Sequence, residues 1–515
     1  MKSRAGVIFI NSLSSYTRMG IGMAINLLIT RNALDTLADN SSAAKETFGI
    51  FMLLTSITTA IQFLNESTQQ AMVRFLAISF HNGNREQTKR LLNSGWVMST
   101  GIGSSVAVIM IVLAPWIVAS FNVPERLVVP AKYVVWISAL AQVIGATNQP
   151  WSAVISAEER YALLNFLGVL QQVLVLVGLS VIHLLPVDPL IGLALVWLSP
   201  SVFIGVLLAG YMMLKNPFLR LDWRYLRMAE CNQLFSLGGW SSLISFASNL
   251  YERTDQILIN LLLGPSFNTL YAVVIQIGSS VNRLVTAITG VLLPTAAKIS
   301  ASGSSWEKQQ LIIRSTRYVV ALAAPSAFGM CIFRREIIEL WLGKGFEDAV
   351  SILPLTMFLV FSRIPIFVTW PYLTATNQLK LPALAMLFDG IINVILSIFY
   401  VKVFNLGLAG IVLGTLSTNL IRFIFFQIPF VARLIQLPVS EYWLKAYGRA
   451  IIPMLWFVPV VWLLQWSSLS PPTTIAVLIM AVLLYTVSIW FWVFDEYEHK
   501  LFINIFNQVL NKKIF

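Results

Sequence analysis

Charged residues are what this chain has least of. Asp, Glu, Lys and Arg make up 11% of its 515 residues, where a soluble domain carries about 25%. Its two cysteines, Cys231 and Cys331, exclude a disulfide framework and offer no ligand spacing for a metal. The three histidines, His81, His183 and His499, fall in loops or at span ends, so a histidine metal site is not expected. No Gly-x-x-x-x-Gly-Lys-Ser/Thr loop occurs, and no soluble stretch exists to hold one, so nucleotide hydrolysis is not expected. No constellation of nucleophile, base and acid stands out, and the chain is not expected to be an enzyme.

What the chain does have is apolar sequence. It is 57% hydrophobic with a mean hydropathy of +0.77. Runs of 18 or more apolar residues recur from end to end, each long enough to cross about 30 Å of hydrocarbon. Barrel strands would instead read as segments of about ten residues with alternating polarity. The expected fold is an all-α polytopic membrane protein. Fourteen spans are predicted near 6–30, 47–79, 94–121, 129–153, 161–184, 190–214, 234–262, 268–297, 311–333, 349–376, 382–404, 407–431, 448–467 and 472–494. Met1-Lys2-Ser3-Arg4 leads directly into the first of these with no small-residue cleavage site, which predicts a retained span and not a signal peptide.

The net charge of +12 would suggest a nucleic-acid partner in a soluble protein. Here it resolves into topology. With the N-terminus in the cytoplasm, 21 lysines and arginines fall in cytoplasmic segments and 8 on the other side. That asymmetry orients the chain by the positive-inside rule, with both termini cytoplasmic.

Six cations remain within or at the ends of spans: Arg18, Arg74, Arg253, Arg283, Arg363 and Arg422. All are arginine. Opposing them are four intramembrane acids, Glu66, Glu252, Asp255 and Asp389. An ionisable group at mid-bilayer costs about 2.5–3.5 kcal/mol on insertion scales, so it normally faces water or a partner. Arginine stays charged when desolvated and offers five donors in a fork, which suits a phosphate or pyrophosphate head. Arg18, Glu66, Arg253, Arg283, Arg363 and Arg422 are therefore the candidate cavity residues. Glu66, Glu252, Asp255 and Asp389 are the candidates for coupling to H+ or Na+. Structural readings stand beside these. Arg74 suits snorkelling to the interface, Arg363 and Asp389 suit a pair across spans ten and eleven, and Asp255 suits an interhelical hydrogen bond. Prolines within spans, Pro115, Pro150, Pro200, Pro325, Pro365 and Pro371, permit kinks.

The second to fifth spans recur about 220 residues later. Gly83 aligns with Gly303, Pro150-Trp151 with Pro371-Tyr372 and Ala162-Leu163 with Ala383-Leu384, at offsets of 220 to 221. Gly192-Leu193-Ala194 matches Gly407-Leu408-Ala409 at an offset of 215. A six-helix repeat keeps its orientation, so the two copies are expected to be related by an axis along the membrane normal. The predicted organisation is an N-lobe at 1–214, a linker at 215–233, a C-lobe at 234–431, and a final helix pair with a cytoplasmic tail at 432–515.

The seventh and eighth spans carry Asp255-Gln256-Ile257 with Gly264, then Leu270-Tyr271-Ala272, then Val291-Leu292-Leu293-Pro294. This stretch resembles polysaccharide flippases, the Wzx-type O-antigen exporters of the MOP superfamily. A weaker copy, Ile25-Asn26-Leu27-Leu28 with Phe48-Gly49-Ile50, lies in the first half, where the loop at 31–46 departs from the pattern. The resemblance implies two lobes in a V around a central cavity, alternating access, and passage of a polyprenyl-linked oligosaccharide to the outer leaflet of a bacterial inner membrane. It also implies contact with membrane lipids and, as partners, polysaccharide polymerase and chain-length proteins. No cofactor is implied beyond H+ or Na+. A cation-coupled multidrug exporter of the same superfamily and a membrane glycan polymerase or ligase are the rival readings.

Overall fold

The computed structural model describes residues 4–37, 42–60, 63–184, 186–216, 219–289, 292, 296, 299, 303–376, 378–466, 471–496 and 498–500. No strand occurs among them. The chain forms two compact units. The first comprises Met1–Val273 with Met386–Ile411, the second Val274–Ala385 with Val412–Phe515.

The first unit holds α1 (Arg4–Thr36), α2 (Ser42–Ala60), α3 (Phe63–His81), α4 (Arg85–Ala119), α5 (Val128–Ala157), α6 (Tyr161–Val181), α7 (Pro189–Lys215) and α8 (Met228–Leu263). The start of α9 (Pro265–Thr289) and most of α14 (Lys380–Lys402) complete it. Local chemistry sets the helix starts. Asn84, after Gly83 at φ +65°, caps α4 by accepting from the Gln87 amide at 3.0 Å. Asp188 caps α7 with Pro189 in the first turn, where its missing N–H costs nothing. Small residues bring backbones together, as they do in membrane bundles. Gly103 of α4 lies against Ala146 of α5, and a side chain at Gly49 of α2 would collide with the Pro265 carbonyl. Met72, Leu76, Leu91, Leu92, Trp151 and Met212 form the buried centre.

The second unit holds α10 (Ser305–Ile332), α11 (Arg334–Leu342), α12 (Glu347–Ser362), α13 (Ile364–Ala375) and α15 (Gly407–Arg422) past its first turn, and then the later helices α16 (Ile428–Leu434), α17 (Met454–Trp466) and α18 (Pro471–Ser488). Ser304 and Glu307 form a capping box at the start of α10. Its buried centre gathers Ala324, Ile332, Phe457, Val461 and Tyr485.

The exposed faces are apolar. Val108, Ile109, Val112 and Trp116 stand out from α4, and Phe388, Ile391 and Ile395 from α14. The opposite face of α14 buries Asp389, Asn393 and Ser397. Polar-in, apolar-out patterning is what a hydrocarbon solvent selects. Nine helices among the described residues are long and apolar enough to cross a membrane, or ten when α10 and α11, bent by 74°, are one span. The other four of the fourteen expected spans coincide with α1, α2 plus α3, α8 and α9. These helices carry Arg18, Glu66, Arg253, Asp255 and Arg283. The expected tenth span is one of the nine, Glu347–Ala375, interrupted at Arg363, after which Pro365 sits in the first turn of α13.

Candidate functional site

The candidate residues divide between the two units. Arg18, Arg253, Asp255 and Asp389 belong to the first; Arg283, Arg363 and Arg422 belong to the second. The side chains of Glu66 and Glu252 lie outside the described residues, although their backbones are helical in α3 and α8.

Arg18 stands midway along α1 and is exposed. Its Nη1 donates to Asn165 Oδ1 of α6 at 3.1 Å. Asn165 Nδ2 donates in turn to the hydroxyls of Ser14 and Ser15, at 3.0 and 2.9 Å. The guanidinium also rests on Gly168, where any Cβ would collide with it. One polar relay and one glycine therefore fix the plane of a cation that remains open to its surroundings.

Asp255 is arranged the opposite way. It is buried in α8 and accepts from the Tyr271 hydroxyl at 2.6 Å and from Asn393 Nδ2 of α14 at 3.1 Å. Ser397 continues the relay by donating to Asn393 Oδ1 at 3.0 Å. Two donors satisfy a carboxylate whose burial would otherwise be costly. Asp389, one turn before Asn393 on the same buried face, adds a second buried acid to this part of the first unit. Tyr271, Asn393 and Ser397 are partners of the candidate Asp255 that a search for charged side chains passes over. The signal for Asn393 and Ser397 is Asp389-x-x-x-Asn393-x-x-x-Ser397, a polar stripe on an otherwise apolar span, while Tyr271 stands in the Leu270-Tyr271-Ala272 stretch.

Arg253, two residues from Asp255, is half-buried, with its Nε enclosed and without a hydrogen-bond partner. Further along α8, Asn260 is fully buried and takes the Asn122 backbone N–H on its Oδ1 at 2.9 Å. Asn122 Nδ2 reaches back to the Asn260 carbonyl at 2.7 Å. The Thr269 hydroxyl donates to the Lys45 carbonyl at 2.6 Å. The C-terminal end of α8 and the start of α9 are thus tied to the α4–α5 loop and to α2.

In the second unit Arg283 is half-buried in α9 and Arg363 sits at the α12–α13 break. Arg422 closes α15. It is buried, donates to Asn419 Oδ1 at 3.1 Å and lies over the Phe423 ring at 5.3 Å. A further cluster has no counterpart among the expected sites. Arg314 and Arg317 of α10, counted among the loop cations, meet Asp495 and Glu498 at 3.1 to 4.0 Å. Tyr318 also donates to Glu498. Outside the spans, burial raises the Cys231 thiol above its ordinary pKa. No group of three metal-ligating side chains occurs among the described residues.

Comparison with known proteins agrees with this architecture. Residues 43–351 match the family described as polysaccharide biosynthesis protein. The uncharacterized membrane protein EpsK of Bacillus subtilis (strain 168) is 22% identical over 398 residues, covering 76% of this chain and 77% of EpsK. An inward-facing multidrug resistance MATE family transporter of the MOP superfamily superposes with a TM-score of 0.70 at 13% identity, covering 80% of this chain and 94% of its own. The lipid II flippase MurJ, in an inward closed conformation, gives 0.68 at 11% identity, covering 93% and 98%. The fold is that of MOP superfamily transporters, and the chain belongs to the polysaccharide biosynthesis protein family.

Proposed function

We propose that this chain is a flippase of the bacterial cytoplasmic membrane. It moves a polyprenyl-(pyro)phosphate-linked oligosaccharide from the cytoplasmic to the outer leaflet by alternating access. The observation that carries the reading is Arg18, a mid-span guanidinium held in plane by Asn165 yet exposed, in a member of the polysaccharide biosynthesis family. A planar donor fork that keeps its charge away from water suits a pyrophosphate. Arg253, Arg283 and Arg363 supply further cationic character along the spans, while Arg422, enclosed beside Phe423, serves the packing of its own helix. Residues 1–214 and 234–431 form the two lobes, 215–233 the linker, and 432–515 the last helix pair and tail, with both termini cytoplasmic. Asp255 and Asp389, with Glu66 and Glu252, are the groups that couple H+ or Na+. A polysaccharide polymerase and a chain-length protein are the expected partners. In cells lacking their own copy, Arg18→Ala should abolish surface glycan while the protein level in the membrane stays intact. Full complementation by Arg18→Ala would overturn the cationic reading.

A second reading, a cation-coupled multidrug exporter, is favoured by the buried Asp255–Tyr271–Asn393 cluster. It predicts raised tolerance to cationic dyes in an efflux-deficient host, lost on Asp255→Asn. The flippase reading predicts no change in dye tolerance.

A further inference from the structure

Between α3 and α5, within the first unit, lies a cavity of about 320 Å³ whose polar wall is built almost wholly of amides. Asn65 and Gln69 come from α3, and Gln142, Asn148, Gln149 and Ser152 from α5. Every described lining side chain is neutral. The volume falls at the lower end of the range for small-molecule pockets, about 300–1,000 Å³.

Two of the amides are fixed by backbone carbonyls of α2 and α3. Gln142 Nε2 donates to the Thr58 carbonyl at 2.9 Å, and Gln149 Nε2 donates to the Asn65 carbonyl. That commits the nitrogens and leaves acceptors over. Asn65 Oδ1 and Gln149 Oε1 are both buried and have no hydrogen-bond partner. Asn65 as a whole is 9% exposed. A buried acceptor without a donor is unfavourable, and both acceptors belong to residues that line the cavity. Asn148 is seated from behind by α7: its Nδ2 lies where a Cβ at Gly205 would be, so the glycine makes room for the amide.

We propose that this cavity is a subsite for an uncharged sugar ring, which deepens the flippase reading and rests on it. A primary amide offers one acceptor and two donors in a plane, and a sugar offers adjacent hydroxyls that each donate and accept. The match needs no charge on either side. A uronic acid would leave its hydration shell for a wall with no described cation to meet it, and is disfavoured. The cavity therefore selects the glycan, while the arginines hold the phosphates.

The test uses full-length protein in lipid nanodiscs and three probes: farnesyl diphosphate, its glucosyl conjugate and its glucuronosyl conjugate. Wild type should bind the glucosyl probe more tightly than bare farnesyl diphosphate, and the glucuronosyl probe no more tightly than the bare one. Asn148→Leu and Gln69→Leu should each remove the glucosyl gain, a loss of about tenfold for a lost hydrogen-bonding group. Binding of bare farnesyl diphosphate should be unchanged, which also reports that the variants fold. Gly205→Ala, which displaces Asn148 while leaving every lining residue unsubstituted, should lower the glucosyl gain in the same way. If bare farnesyl diphosphate binds but glucose adds nothing, the subsite is overturned and the flippase reading survives. If no probe binds, the flippase reading falls and the subsite with it. Equal weakening of all three probes by Asn148→Leu would make the amide structural and overturn the subsite.

Discussion

Arg18 and Arg422 form the same bond in different surroundings. Each donates a guanidinium N–H to an asparagine oxygen at 3.1 Å. Asn165 reaches Arg18 from another helix, 147 residues away, and leaves the cation exposed. Asn419 belongs to the same helix as Arg422, and the pair is buried beside Phe423. Residue type and partner are therefore poor guides to role in a membrane span. On the flippase reading, a substrate meets the cation that remains accessible, and the enclosed one serves the packing around it.

The largest expected effect sets the two apart directly. Arg18→Met should reduce surface glycan to background with the membrane protein level unchanged. Arg422→Met, an apolar replacement of similar length, should retain most of the glycan. The loss of the donor to Asn419 costs about 1–3 kcal/mol of stability, so the two variants are compared at equal protein levels. The comparison breaks if the outcomes are reversed at equal protein levels. Next in size is Arg317→Ala, which leaves Asp495 and Glu498 to Arg314 alone in a half-enclosed cluster. Breaking a buried pair costs about 3–5 kcal/mol, which should appear as loss of folded protein in a detergent thermal-stability assay, before any assay of transport. A smaller effect is expected from Asn165→Leu, which keeps the Arg18 charge but frees its plane. Glycan export should fall about tenfold, as for one charged hydrogen bond, and Asn165→Asp should restore part of it. Smaller again is Gly49→Ala, where the new methyl meets the Pro265 carbonyl. Overpacking costs about 1–3 kcal/mol, read as a lowered unfolding temperature. The smallest is chemical: with its pKa raised by burial, Cys231 should alkylate more slowly at pH 8 than a free thiol and gain rate as the pH rises further.

Much of the fold is legible in the sequence because the signals are local. Apolar runs locate the spans, and the aligned Gly83 and Gly303 each precede a side-chain cap, Asn84 and Ser304, that opens the next helix. Pro365 falls inside an unbroken apolar run and reads as lying within one span, which Glu347–Ala375 is; what the run does not show is the interruption at Arg363, after which the proline, lacking an N–H, takes a first-turn position. The site is legible in residue type only. Asp255 stands out as an intramembrane acid, but its partner Asn393 lies 138 residues away and can be paired with it only by tertiary packing. The Arg314–Arg317 cluster is hidden for the same reason: both arginines fall at the cytoplasmic end of the expected span 311–333 and count with the loop, while the acids they meet lie about 180 residues further on.

That separation has a consequence in time. Arg314 is made 181 residues before Asp495, and at ~5–20 residues per second the ribosome needs about 10–40 s to cover that distance. For this interval α10 holds two cations whose acidic partners have not been synthesised. The second unit can close around them only after nearly every other described helix has been made, so its assembly is completed from the chain's last segments and not its first.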